Sequence, residues 1–215
     1  MKLVSINLGQ PRTQQNGEKL ETTGIYKSSN QGPVKITTLG IAEDFIGSPK
    51  HHGGPDQAVY VYSMEDYAWW SRELGRELAP GTFGDNLTIS ELECSDFNIG
   101  DRLILGNVIL EATAPRIPCS TLATRMGDPH FVKKYRDAER PGFYCRVIAE
   151  GEIEAGVEVI VQGSAGEAVG INEVFRDWYE RDKDEAMLRR FLSSPIAIRA
   201  RRKLESHLER LTSGN

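Results

Sequence analysis

The stretch RLILGNVILEAT, residues 102–113, consists of two runs of aliphatic and β-branched residues on either side of a Gly-Asn pair. Such runs favour strands, and a Gly-containing pair between them is typical of a two-residue hairpin turn. The stretch therefore predicts a β-hairpin that turns at Gly106 and Asn107.

Similar short runs occur on both sides of this hairpin. They are rich in β-branched and aromatic residues, are bounded by Gly, Pro, Asn or Asp, and read KLVSINL, PVKITTLGI, AVYVYS, NLTIS, FYCRVIAEG and GVEVIVQG. Strands at this spacing, with few helices between them, favour a barrel. One helix is predicted among them at MEDYAWWSRELGREL, with Ser63 as its N-cap and Pro80-Gly81 as its stop.

The last part of the chain has a different character. Residues 171–211 contain no glycine and predict helices, with Asn172 capping the first and Asp182 or Asp184 capping the second. The sequence therefore predicts a mainly β protein. A β-barrel domain is expected over residues 1–167, followed by a C-terminal three-helix subdomain over residues 168–215.

Composition excludes several classes of protein. The 215 residues are 39% hydrophobic and 27% charged, which is typical of a globular chain. A net charge of −5 argues against nucleic acid as a partner, because phosphate binding needs a basic face. No apolar run approaches the length of a membrane span, and the N-terminus lacks the apolar core of a signal peptide, so no membrane partner is expected.

Cysteine usage indicates the compartment. The three cysteines, Cys94, Cys119 and Cys145, are 25 and 26 residues apart, which is typical neither of a disulfide framework nor of a zinc ribbon. We therefore expect a reducing, cytoplasmic environment. Cys145 lies in a strand and is predicted to be a core residue, whereas Cys94 lies in the polar stretch ELECSDF and is interpreted as incidental.

Cys119 lies in an unusual frame, APRIPCSTL, residues 114–122. Pro115 and Pro118 stiffen the backbone before it, and Arg116 places a positive charge three residues away. A helical turn that begins at the cysteine would add its dipole to that charge and favour a thiolate. A buried structural cysteine is the alternative, but the rigid, cationic frame favours a reactive one.

Two further stretches supply candidate site residues. In SPKHHGGPDQAVYVY, residues 48–62, paired histidines precede Gly53 and Gly54, which allow the backbone close to a ligand. Adjacent histidines point to opposite faces of an extended chain, so a zinc site is disfavoured. His52 or its neighbour His51 is expected to face a pocket as a hydrogen-bond donor or proton carrier, although a glycine turn with two solvated histidines explains the spacing equally well.

The stretch GTFGDNLTI, residues 81–89, offers glycine backbone groups and the Asn86 amide to a polar ligand. A simple turn would produce the same pattern. On its own this stretch is a weak signal.

Taken together, these motifs resemble a known family. HHGGPDQAVYVYS, GTFGDNL, IGDRL, APRIPCSTL and RPGFYCRVIAEGEIEAG occur in the order found in MOSC domains. TTGIYKS and the helical tail are similar to the YiiM-like subgroup of that family. The resemblance covers nearly the whole chain.

The resemblance implies a pyruvate-kinase-like β-barrel, molybdopterin-bound molybdenum as cofactor, and reduction of N-hydroxylated compounds such as hydroxylaminopurine base analogues. Pyridoxal phosphate binding is also associated with the family. The metal-coordinating and catalytic cysteine corresponds to Cys119, with His52 as a second catalytic candidate. The candidates for cofactor binding are Arg116, Lys27, Arg146, Asn86, Gly53 and Gly54. Lys27 and Arg146 are explained equally well as exposed strand charges.

Other functions remain open. Cys119 could instead carry a persulfide in sulfur transfer, the chain could be a non-enzymatic molybdopterin carrier, or a cysteine–histidine pair could act as a hydrolase. A reductase would need a separate flavoprotein as electron donor, because the sequence has no dinucleotide-binding glycine motif and no close cysteine set. The run from Arg199 to Lys203 is either a docking surface for that partner or a solvated helix face, and a homodimer is compatible with the sequence.

Overall fold

The computed structural model describes residues 1–49 and 52–213. The described strands are β1 (Lys2–Gly9), β2 (Arg12–Asn16), β3 (Lys19–Thr23), β4 (Lys27–Ser29), β5 (Val34–Thr37), β6 (Gly40–Ile41), β7 (Val59–Ser63), β8 (Leu87–Ser90), β9 (Arg102–Leu105), β10 (Val108–Pro115), β11 (Phe143–Ala149), β12 (Gly151–Ile153) and β13 (Val159–Gln162). The described helices are α1 (Met64–Leu74), α2 (Ser120–Met126), α3 (Phe131–Ala138), α4 (Ile171–Asp177), α5 (Glu185–Ser193) and α6 (Ile198–Ser213), with 3₁₀ turns at Pro55–Gln57 and Cys94–Asp96.

The main sheet closes on itself. Its strands follow the order β13-β9-β10-β11-β7-β8-β1-β4, and only the β7–β8 pair is parallel. The N-terminal half of β1, which β4 does not cover, meets the residues just before β13: Leu3 N donates to Val157 O at 3.0 Å and Gly156 N donates to Leu3 O at 2.7 Å. These bonds join the two ends of the sheet, which confirms the predicted barrel.

The hairpin between β9 and β10 forms as predicted. Leu105 pairs with Val108 across the turn, and Gly106 adopts a φ of 61°, which glycine tolerates. The inward-facing side chains Leu103, Leu105, Val108 and Leu110 are fully buried. The alternation of these leucines and valines fixes the register, because a shift by one residue would expose all of them.

Strand β7 is buried on both faces, and this places the aromatic layer beneath the candidate site. Val59 and Val61 face the barrel core, whereas Tyr60 and Tyr62 face a second cluster formed with α1, α2 and α3. This second cluster contains Tyr67, Trp70, Phe83, Phe131 and Tyr135. Ring pairs such as Tyr60–Tyr144, with centroids 5.1 Å apart, extend the layer to β11.

Two helix boundaries differ from the sequence prediction. Helix α1 begins at the predicted cap, Ser63, which accepts a bond from Asp66 N at 2.9 Å. It ends earlier than predicted, because Gly75 takes the left-handed conformation (φ 62°) that terminates helices. Asn172 is not a cap: α4 begins one residue before it, and its side chain donates to Glu139 O at 3.0 Å.

The C-terminal helices pack onto the barrel. Helix α5 has the predicted cap Asp184, which accepts from Met187 N at 2.7 Å. Leu188, Phe191 and Leu204 are buried in the same cluster as the barrel strands. The domain boundary between residues 167 and 168 stays a prediction. None of the helices in the described part of the chain has both the length and the apolar character needed to cross a bilayer.

Candidate functional site

Two cavities meet at Cys119. The outer cleft has a volume of about 500 Å³ and the inner pocket a volume of about 90 Å³. His52, Cys119 and Tyr144 line both cavities. A ligand in either cavity would therefore contact the thiol that the sequence singles out.

The frame around Cys119 has the geometry that its sequence predicts. Strand β10 ends at Pro115, and α2 begins at Ser120, so Cys119 is the extended N-cap residue between them (φ −130°, ψ 168°). Its carbonyl accepts from Leu122 N at 3.1 Å and from Ala123 N at 3.2 Å, which anchors it to the first turn. The side chain is half-buried and faces the cavities.

Neighbouring groups make Cys119 acidic. Burial alone would raise the pKa of the thiol, but the His52 side chain and the positive charge of Arg116 outweigh it and lower the pKa to about 6. The thiol is therefore mostly ionised at neutral pH, which is the form that binds metals and attacks electrophiles.

Arg116 is the positive charge behind the thiolate. It is buried, and its guanidinium lies 5.6 Å from the ring centroid of Tyr60 and 5.8 Å from that of Tyr135. Its Nη1 has no hydrogen-bond partner among the described residues. A buried charge is costly unless it is compensated, and the Cys119 thiolate stabilises the charged guanidinium.

His52 lies at the cavity junction, and Gly53 fixes its position. Tyr144 Oη is 3.4 Å from His52 Nδ1, and His52 N donates to Ser48 O at 2.8 Å. Gly53, the next residue, has a φ of 80°, a backbone conformation that residues with a side chain rarely adopt. His51 lies outside the described residues. Gly54 does not line either cavity.

Lys27 and Asn86 form the polar end of the inner pocket. Both contact Asp44: Lys27 forms a buried ion pair with it, and Asn86 Nδ2 donates to its Oδ2 at 2.9 Å. Burial lowers the pKa of Lys27, an effect that Asp44 opposes. Lys27 is thus a paired, buried cation and not the exposed strand charge of the alternative interpretation. Asn86 Oδ1 also accepts from Tyr60 N at 3.1 Å.

Arg146 lies away from both cavities. It forms ion pairs with Asp56 at 3.1 Å and with Glu111 at 3.4 Å, and its Nη2 donates to Pro195 O at 2.8 Å. These contacts tie the barrel to the segment that leads into α6. A cofactor-binding role for Arg146 stays a prediction, and this geometry does not support it. The alternative, an exposed strand charge, is wrong as well, because three partners hold the side chain.

Sequence reasoning missed several residues of the site. Asp44 lies in IAEDFIG, where a carboxylate between apolar residues was the available signal. Trp178 and Arg199, from the C-terminal helices, line the outer cleft. Among the described residues, no three His, Cys, Asp or Glu side chains cluster as metal ligands.

Comparison with known proteins identifies the family. The family model for the MOSC domain matches residues 48–160. YflK of Bacillus subtilis is 34% identical over 196 residues, which cover 89% of this chain and 86% of YflK. A protein named "Reductase" from Gibberella moniliformis is 34% identical over 139 residues, covering 63% of this chain and 25% of that protein.

A solved structure has the same fold over nearly its whole length. The crystal structure of YiiM from Geobacillus stearothermophilus superimposes with a TM-score of 0.80 at 28% sequence identity. The match covers 96% of this chain and 98% of that one, so it includes the C-terminal helices as well as the barrel.

Proposed function

The chain belongs to the MOSC domain family, as a YiiM-like member, and from this premise we propose that it is a molybdenum-cofactor-dependent reductase of N-hydroxylated compounds. Hydroxylaminopurine base analogues are the proposed substrates, and Cys119 is the proposed metal ligand. The observation that carries the proposal is the ionised Cys119 thiol at the junction of two cavities.

The residues at the junction fit such a cofactor. A thiolate is a soft ligand, suited to a metal that already has sulfur ligands. Arg116 Nη1 is a buried donor that has no hydrogen-bond partner in the described part of the chain, and it is available to an anionic sulfur or oxygen atom. Lys27 is already neutralised by Asp44, so it contributes to the polar lining and not as a free cation. Arg116 is therefore the better candidate of the two for holding negative charge.

The proposed reaction is a two-electron reduction. An N-hydroxylated amine takes up two electrons and two protons, its N–O bond breaks, and the amine and water are released. The cofactor, when bound, supplies the redox step. The chain's own task is to hold the substrate beside Cys119 and to supply a proton to the departing hydroxyl. The His52 imidazole, between the thiol and Tyr144, is the group placed to do so.

We assign electron supply to a separate flavoprotein reductase. The sequence has no dinucleotide-binding motif of its own, and its three cysteines are free in the structure. Free cysteines also fit the proposed cytoplasmic location.

Protein expressed in cells that make the cofactor, and purified under mild conditions, tests the proposal. We expect bound molybdenum and pterin, and reduction of a hydroxylaminopurine by reduced methyl viologen. Cys119→Ser should abolish turnover and lower the molybdenum content. The matched control is Cys94→Ala, because Cys94 is buried in the barrel core away from both cavities. Turnover by a folded, metal-free Cys119→Ser protein would contradict the proposal.

A sulfur-carrier role is the second candidate, and the low pKa of Cys119 favours it too, since a thiolate is the form that accepts sulfur from a donor persulfide. Mass spectrometry of non-reduced protein distinguishes the two. A persulfide on Cys119, in protein that holds no molybdenum, would favour the carrier.

A further inference from the structure

The outer cleft has two apolar walls of different origin. One is formed by Ile117 and Pro118, which flank the Cys119 frame. The other is formed by the C-terminal part of the chain, through Trp178 at the end of α4, Ala197 just before α6 and Ala200 on α6. Cys119 lies in the same cleft. A molecule that reaches the thiol through this cleft passes between these walls.

Trp178 has features of a binding surface. It is 39% exposed, although a large indole is usually buried when it serves only the core. Lys203 Nζ lies 3.3 Å from its ring centroid, so a cation–π contact orients the indole and occupies one face of it. Ala197, just before α6, and Ala200, in its first turn, line the same cleft with side chains of a single methyl group each.

The rim of the cleft is polar. Arg199 is half-buried there, with Nη2 donating to Pro49 O at 2.7 Å and Nη1 donating to Gln57 Oε1. Thr121 lies at the rim near the barrel, where its hydroxyl donates to Glu21 Oε1 at 2.9 Å. Apolar faces with hydrogen-bonding groups at the edges suit a flat heteroaromatic ring, whose faces are apolar and whose edges are polar.

We propose that Trp178 stacks on a flat heteroaromatic ring in the outer cleft, which makes the C-terminal helices a specificity-determining wall of the site. The identity of the ring rests on the proposed function. The base of the substrate and the pterin of the cofactor share this chemistry, and the experiment distinguishes them.

The first measurement does not depend on turnover. Adenine, a base of the proposed product class, is titrated against intrinsic tryptophan fluorescence. We expect saturable quenching in the wild-type protein and its loss in Trp178→Phe. The matched control is Trp69→Phe, because Trp69 lies on α1 under Arg140, away from the cleft, and quenching should persist there.

The second measurement compares two N-hydroxylated substrates, a hydroxylaminopurine and acetohydroxamic acid, which has no ring. Stacking predicts that Trp178→Ala raises KM about tenfold for the purine, with little change in kcat or in either constant for the hydroxamate. Trp178→Phe, which keeps an aromatic face, should recover most of the affinity. This result would assign the ring to the substrate.

Molybdenum and pterin content after dialysis forms the third arm. Loss of both from Trp178→Ala, with KM for the purine unchanged, would assign the stacked ring to the cofactor. The proposal would be overturned by three results together. Trp178→Ala would keep its full molybdenum and pterin content and its KM for the purine, and adenine would still quench the tryptophan fluorescence of Trp178→Phe. If the wild-type protein reduces neither substrate, the proposed function fails, whereas quenching that depends on Trp178 would still support the stacking wall.

Discussion

Replacing Cys119 by serine in the metal-free protein tests the thiolate directly. The pKa of this thiol is lowered from 9.0 to about 6, while serine stays neutral. Because the pKa is lower in the folded state, the ionised thiol adds to the free energy of unfolding. This contribution has its full value above pH 9, the pKa of the unfolded state, and is lost as the pH falls through 6, the pKa of the folded state. At about 1.4 kcal/mol per pKa unit, the contribution is about 4 kcal/mol above pH 9 and about 1 kcal/mol at pH 7. Solvent screening of a half-buried group makes these figures upper bounds.

Two assays measure this effect. Urea denaturation of both proteins from pH 6 to pH 9.5 should show the wild-type protein gaining stability over Cys119→Ser as the pH rises. The rate of iodoacetamide alkylation of the wild-type protein should have its midpoint near pH 6. Cys94 and Cys145 will not interfere, because both are buried and burial raises their pKa.

Two results would refute the reasoning. One is an alkylation midpoint near pH 9, the ordinary value for a thiol. The other is a stability difference between the two proteins that does not change with pH. Either would mean that Arg116 and His52 do not stabilise the ionised form, and the assignment of Cys119 as a ready metal ligand would lose its basis.

Three further predictions concern two groups around the thiol and the electron supply. Arg116→Met should raise the pKa of the Cys119 thiol, measured by alkylation, and should lower cofactor affinity by about ten- to hundredfold, measured as molybdenum content after dialysis. The control is Arg76→Met, at an exposed arginine. Equal molybdenum retention by the two variants would contradict the role of Arg116. His52→Gln should raise the pKa of the Cys119 thiol and lower kcat while KM changes little. An unchanged kcat would contradict the proton-carrier role of His52. The purified chain should not oxidise NADPH with an N-hydroxylated substrate until a flavoprotein reductase is added, and turnover without one would overturn the partner assignment.

Local features of the fold were predictable from the sequence because local chemistry determines them. The turn at Gly106 and the start of α2 at Cys119 follow from turn preferences and from the stiffness of proline. The end of α1 was misplaced because Gly75, within an otherwise helical run, takes the left-handed conformation before Pro80 is reached. Asn172 was misread as a cap because its amide binds a carbonyl from a distant loop.

Contacts between distant segments were not predictable. Cys94 lies among polar residues, yet its side chain is 2% exposed, because the 3₁₀ turn there directs one side chain into the barrel core. The wall formed by Trp178 depends on how α4 and α6 pack against β10 and the loop that follows it. The spacing of apolar residues along the sequence does not predict that packing. His52 near Tyr144 is likewise a contact between residues 92 positions apart.

The charge arrangement explains why an arginine stands so close to the cysteine in the sequence. Lys27, the other buried cation of the inner pocket, has its own carboxylate in Asp44, so it leaves no net charge to stabilise a thiolate. Arg116 has aromatic rings beside it, and its Nη1 has no partner within residues 1–49 and 52–213, so its charge acts on the Cys119 sulfur. A carboxylate paired with Arg116 would neutralise it and return the thiol towards its ordinary pKa. The short spacing and the aromatic surroundings of Arg116 thus let its charge act on Cys119, in addition to the His52 hydrogen bond that also lowers the pKa of the thiol.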